Sequence, residues 1–222
     1  MKEHGRIFTG DNVRAILDGR KSQTRRIVTP QNSLIDGHGA SAKAWQTMGL
    51  DLDSAWVDNG PSPGGWPGPF LKVPAADGTV HRLYSRIQPG DRIWGREAFR
   101  NRRVDSLPGD VDYRADNPGV ATVPGSYGRS WKPSIHMPRW ASRITLEVTD
   151  VRVERLQDIS DADAAAEGIG FHGCMGIPGD KSWLRMHFQQ LWEDINGPGS
   201  WGANPIVWAY SFQRIDDQQE AT

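Results

Sequence analysis

Alternation and helical spacing mark out regular segments separated by long aperiodic ones. "RIFTG" (6–10) reads as a short strand. "DNVRAILDG" (11–19) follows it with a polar cap, apolar Val13, Ile16 and Leu17 at i, i+3 and i+4, and Gly19 as a stop, which predicts a helix. The spacing then predicts a strand over Gln23 to Val28, ending at Pro30. From 29 to 88 periodicity is lost, and "GPSPGGWPGP" (60–69) holds eight Gly or Pro in ten positions, so this stretch is expected to be a long irregular insertion. Trp45, Trp56 and Trp66 give it apolar surface to pack on the rest of the protein or to rim a pocket.

Strand character resumes at "GDRIWGREAFR" (90–100), with Ile93, Gly95, Glu97 and Phe99 on one face and Trp94 on the other. A second irregular stretch, 100–139, contains one short strand candidate, "VDYRA" (111–115), and the turn-rich "SWKPSIHMPRW". The clearest strand is "SRITLEVTDVRVERL" (142–156). Its inward alternation of Ile144, Leu146 and Val148 slips by one to Val151 and Val153, which predicts a bulge near Thr149 and Asp150. "SDADAAAEG" (160–168) carries Ser160 and Asp163 in capping spacing and closes with Glu167 and Gly168. The longest helix is predicted from about Lys181 to Ile195, with Leu184, Phe188, Leu191 and Ile195 on one face. A closing strand alternates Ile206, Trp208, Tyr210 and Phe212. The order of elements predicts one domain over 1–222, mostly β with α (α+β), arranged as a small curled β-barrel flanked by a few helices.

Charge narrows the functional classes. The 26 Lys plus Arg against 27 Asp plus Glu remove any whole-molecule attraction to nucleic acid, so a local patch would have to do that work. One cysteine, Cys174, excludes an internal disulfide framework. "MKEHGR" has no apolar stretch behind it, and no later run approaches membrane-spanning length, so a cytoplasmic protein without membrane contact is expected. His172 and Cys174 in "FHGC" offer two ligands without a partnering pair, so no metal is expected, and no other cofactor. The Gly-rich 60–69 run lacks the Lys-Ser/Thr of a phosphate loop.

One local patch does stand out. In "GRKSQTRR" (19–26), Arg20, Lys21, Arg25 and Arg26 crowd around Thr24. Gly19, Lys21, Thr24 and Arg26 match the GxKxxTxR signature of the ASCH family of the PUA-like superfamily. The later "GDRIWGRE" and "LEVTDVRVERLQDISDADAAAEGI" resemble that family's Gly-Asp strand and its strand followed by a helix ending in glutamate. The resemblance covers about 5–28, 89–99 and 140–213. With its Trp- and Pro-rich insertions the chain is similar to long members carried by phages and prophages.

The resemblance implies a PUA-like barrel with a pocket at its open side, binding a modified nucleoside or RNA. In members that act as amidohydrolases on N4-acetylcytidine a Lys, a Thr and a Glu do the chemistry, roles that would fall here to Lys21, Thr24 and Glu167, with Glu97 as the substitute carboxylate. Amide hydrolysis needs the same parts on general grounds: a hydroxyl nucleophile, a base, a donor to the leaving nitrogen and cations facing the oxyanion. Arg20, Arg25, Arg26 and Trp94 would complete the substrate contacts. A neutral Lys21 is needed if it is to act as base, which requires Glu167 to be protonated or out of contact. The alternatives are a noncatalytic PUA-like reader of RNA or modified nucleic acid, in which the cations hold phosphate, and a metal-independent ribonuclease. Oligomeric state is left open by the sequence.

Overall fold

The computed structural model describes residues 1–58, 60, 65, 69–101, 111–119, 130–170 and 182–215. The protein is mixed α and β. Its larger sheet is built from β1 (Glu3–Ile7), β2 (Gln23–Ile27), β8 (Arg92–Arg96), β11 (Thr145–Arg155) and β12 (Ile206–Ile215), in the order β1-β8-β11-β12-β2. The second sheet contains β3 (Ser33–Ile35), β4 (His38–Gly39), β5 (Trp56–Asp58), β6 (Phe70–Pro74) and β7 (Val80–Ser85), in the order β4-β3-β7-β6-β5. β9 (Phe99–Asn101) and β10 (Val111–Tyr113) form a separate ribbon within the 100–139 stretch. The helices are α1 (Gly10–Leu17), α2 (Ala42–Met48), α3 (Asp161–Ala166) and α4 (Ser182–Asn196).

The barrel expected from the curled strands is not closed. β1 and β2 are the two edges of the larger sheet, and no backbone ladder joins them among the described residues. Instead the Arg26 side chain reaches across, its Nη2 donating to the Ile7 carbonyl at 2.7 Å. The curl has a local cause: the β11–β12 register shifts between Val148 and Asp150, where the alternation slips, and a bulge there increases twist. β1 and β8 pair in parallel, an exception to an otherwise antiparallel sheet.

Among its described residues the 29–88 stretch carries five strands and α2, contrary to the irregular loop expected there. Phe70–Pro74 and Val80–Ser85 are a hairpin whose turn holds Gly78 at φ +82, while Asp77 Oδ1 accepts from the Thr79 N–H at 2.9 Å. The signal is the Asp-Gly pair between two short apolar runs, masked in the sequence by the Gly/Pro-rich run just before it. Trp45 is buried from α2, Trp56 stays about half exposed, and Trp66 lies outside the described residues.

Both sheets contribute to one apolar cluster, in which Ile35, Leu71, Val73 and Leu83 meet Val13, Ile93, Leu146 and Trp208. Two buried hydrogen bonds fix their relative position: Trp208 Nε1 donates to Ser33 Oγ at 2.9 Å, and Tyr210 Oη lies 2.9 Å from Ser85 Oγ. On the far side of β12, α3 and α4 pack a smaller cluster around Leu184, Phe188, Trp192 and Val207. The inward stripe of α4 thus runs Leu184, Phe188, Trp192 at steps of four. Ile195, expected on the buried face, is 45% exposed.

The Trp208–Ser33 link yields a stability prediction. Ser33→Ala leaves the buried indole N–H unpaired and should lower unfolding free energy by about 1–3 kcal/mol. Urea titration followed by tryptophan fluorescence measures it; an unchanged midpoint would show that this bond does not hold the sheets together.

Candidate functional site

The residues of "GRKSQTRR" fall on the turn from α1 into β2, and strand alternation sorts them. Thr24 is paired with Tyr210 and Arg26 with Trp208, so both face the side of the sheet that meets the second sheet. Arg25 is paired with Ala209 and faces α3 and α4. Because β2 is an edge strand, both faces open onto one cavity of about 280 Å³, lined by Thr24, Arg25, Arg26 and Glu167 and walled by Phe188 and Trp192 of α4.

Glu167 caps the C-terminus of α3, and Gly168 lets the chain turn there. Gly168 has φ +89, and a Cβ on it would come within 2.9 Å of the Ala15 Cβ and 3.0 Å of the Lys21 Cβ. This close approach lets Lys21 and Glu167 form an isolated antiparallel bridge. Lys21 Nζ donates to Glu167 Oε2 at 2.5 Å and to the Glu167 carbonyl at 2.8 Å. The other carboxylate oxygen, Oε1, accepts from Arg25 Nη1 at 3.1 Å. Arg25 Nε also donates to Glu154 at 2.8 Å, Asp163 lies 3.6 Å away, and the guanidinium sits 5.9 Å from the Phe188 ring centre.

Lys21, Arg25 and Glu167 are all buried, so the cluster has to balance its charge internally. Burial pushes the Lys21 amine below its usual range; contact with Glu167 opposes this, and Arg26 and Arg25 add to it. Thr24 is 4% exposed, and its hydroxyl makes no hydrogen bond among the described residues. Three nitrogens of cavity-lining residues, Arg25 Nη2, Arg26 Nε and Trp192 Nε1, are buried without a hydrogen-bond partner.

The other candidates lie elsewhere. Arg20 bonds Asp18 at 2.9 Å and the Gly168 carbonyl at 3.2 Å. Trp94 stands opposite Gly5 on the outward face of β8, where a Cβ on Gly5 would come within 2.7 Å of the indole, and Arg96 covers it at 5.4 Å. It does not line the Thr24 cavity. Glu97 is buried and gripped by Arg143 at 2.9 and 3.1 Å. Arg143 also holds Asp116 and lies 4.0 Å from the Tyr113 ring. Burial raises the Glu97 carboxyl despite Arg143, but Glu97 borders a different cavity, of about 470 Å³, with Thr9, Arg14 and Arg114. Sequence reading missed Phe188 and Trp192 as cavity walls; their i, i+4 spacing on α4 was the available signal. His172 and Cys174 lie outside the described residues, and among those described no group of three His, Cys, Asp or Glu could hold a metal ion. No helix among the described residues is long and apolar enough to cross a membrane.

No family model matches the chain, and no curated protein or solved structure does.

Asp163 borders this cluster and supplies its pH dependence. Burial alone would raise its carboxyl, but hydrogen bonds from Arg152, Ser160 and Gln23 outweigh it and bring it down from 3.8 to about 2. A depressed carboxylate stabilises the fold above its unfolded pKa, and that contribution is lost as pH falls through the folded value. Stability should therefore decline between about pH 4 and about pH 2. Asp163→Asn should flatten that part of the profile in thermal melts, and an unaltered slope would assign the acid sensitivity to other groups.

Proposed function

We propose that the protein is an ASCH-type, PUA-like amidohydrolase that removes an acyl group from a modified cytidine resembling N4-acetylcytidine. The observation that carries this reading is the buried Lys21–Glu167 contact at the edge of the cavity that Thr24 lines, made by residues 146 positions apart. The near approach of β1 and β2 through Arg26 supports the PUA-like reading of the fold, as an open relative of the barrel.

The geometry redistributes the expected roles. Lys21 touches Glu167 and does not line the cavity, so it is not a free base. Glu167 lines the cavity, with Lys21 behind it and Arg25 fixing its second oxygen. In the proposed reaction Thr24 Oγ1 adds to the acyl carbon and its proton passes to the Lys21–Glu167 pair. The C–N bond breaks as that proton is delivered to the N4 nitrogen, releasing the amine. Water then cleaves the threonyl ester and frees the carboxylic acid. Phe188 and Trp192 offer an apolar wall for a planar base.

A reader that grips phosphate with this cluster is less well supported. Arg20, Lys21 and Arg25 are each engaged by a carboxylate, leaving little charge for a passing strand.

The test is acetate release from N4-acetylcytidine. Thr24→Ala should lower turnover by about 10²- to 10⁴-fold while leaving circular dichroism unchanged, and Thr24→Ser should recover part of it. Glu167→Gln should lower it as well. That variant also leaves the buried Lys21 without its counter-charge and should lose about 3–5 kcal/mol of stability, so Thr24 gives the cleaner result. Absence of turnover by the wild type on every acylated cytidine tried would overturn the hydrolase reading.

A further inference from the structure

Three asparagines line the Thr24 cavity among the described residues, and two of them spend their amides on the fold. Asn32 Nδ2 donates to the Ile27 carbonyl at 2.7 Å, and its Oδ1 accepts from the Thr29 N–H at 2.9 Å and from Ser33 Oγ at 3.1 Å. Asn196 Nδ2 donates to the Trp192 carbonyl at 3.0 Å, one turn back on α4. Asn12 is different. It stands in the first turn of α1, where its backbone N–H donates to Oγ1 of the Thr9 cap at 3.3 Å. In a capping box the side chain at this position returns a bond to the cap. The half-buried Asn12 amide does not: it makes no hydrogen bond among the described residues, either as donor or as acceptor.

The charged groups of the same cavity are already bonded, Glu167 to Lys21 and Arg25, and Arg26 Nη2 to the Ile7 carbonyl. An amide carries a donor and an acceptor side by side, and in water both are satisfied. A ligand that displaces water from Asn12 must offer an acceptor next to a donor, or it leaves a polar group unpaired. That penalty is how a polar site rejects the wrong ligand. Cytosine carries such a pair along one edge, with ring N3 as acceptor and N4–H as donor. Acylation of N4 leaves one N4–H in place, so an acylated cytosine keeps the pair.

We propose that Asn12 is the residue that selects the base in the Thr24 cavity, its Nδ2 donating to ring N3 and its Oδ1 accepting from N4–H. The choice of cytosine rests on the function proposed above. Asn12 then holds the ring by the edge that carries the acylated nitrogen, with Phe188 and Trp192 as the apolar wall of the same cavity. The contact that selects the base also limits where N4 and its acyl group lie relative to Thr24, so it contributes orientation as well as affinity. Asn12 neither gives nor takes a proton in the reaction.

The experiment is a cycle of two single changes read by calorimetry on cytidine, a ligand whose binding needs no hydrolysis. 3-Deazacytidine replaces N3 by C–H and removes the acceptor, while Asn12→Ala removes the amide. The deaza change should weaken binding to the wild type about tenfold, the scale of one hydrogen bond, and should cost nothing further in Asn12→Ala. The Asn12 side chain makes no hydrogen bond to the fold among the described residues, so the variant should keep its structure. Asn12→Asp supplies a second variant of nearly the same shape. A carboxylate is favourable in the first turn of a helix but cannot donate to N3, so cytidine binding should again fall about tenfold. Both variants should lower kcat/KM for N4-acetylcytidine about tenfold or more. A deaza penalty that is the same in wild type and both variants overturns the assignment even if N4-acetylcytidine is hydrolysed, and so does a wild type that binds no cytidine. No hydrolysis of any acylated compound, with a deaza penalty that disappears in Asn12→Ala, overturns the hydrolase reading and sustains the base contact.

Discussion

The buried contact of Lys21, Glu167 and Arg25 constrains everything around it. Two cations and one carboxylate out of water are unstable unless each is bonded, and here Glu167 accepts from both sides while Arg25 Nε donates to Glu154. Satisfying that arrangement fixes the end of α3 against the start of β2. The backbone follows, since Ser22 N–H donates to the Ala166 carbonyl at 2.8 Å. It also requires Gly168, because any side chain there would meet Ala15 and Lys21. α3 has six residues, too few for stability by itself, and is held by this contact and by its packing beneath α4.

The same cluster limits the chemistry. A lysine amine already hydrogen-bonded to a carboxylate is poor at taking a proton from a third group unless that proton can move on. The 2.5 Å separation of Nζ and Oε2 places both within one proton's reach, and Arg25 occupies the other oxygen. Burial favours the neutral amine while Glu167 favours the ammonium. In the proposed reaction this pair would exchange its proton on the Glu167 side, the side that faces the cavity.

How much of this the sequence revealed depended on whether a signal was local. The slip in alternation at Thr149 and the capped helix ending at Glu167 are read within one element, and the structure carries the register shift and the helix there. The pairing of Lys21 with Glu167 is a contact across most of the chain, and it was approached only through a family resemblance, not from spacing. The second sheet was missed because its strands are three to six residues long and follow a Gly/Pro-dense run, whose composition outweighed the Asp77-Gly78 turn signal. Trp94 was assigned to the site by residue type. The parallel pairing of β1 with β8, which cannot be read from local sequence, places it on the outer face against Gly5.

Adjacent arginines in "TRR" have opposite environments for a simple geometric reason. Successive residues of a strand point to opposite faces, so Arg25 meets Glu154, Asp163 and Glu167 while Arg26 meets Arg6 and the edge of β1. Glu154, Asp163 and Glu167 lie within ion-pair distance of Arg25, whereas Glu167 acts on Arg26 electrostatically without an ion pair. Composition and net charge average over this division and hide it. One residue of register separates a cation surrounded by carboxylates from one that bonds a backbone carbonyl of β1. A strand slip of a single position would exchange the two environments, so the pairing of β2 with β12 determines which arginine meets the acids of α3 and β11.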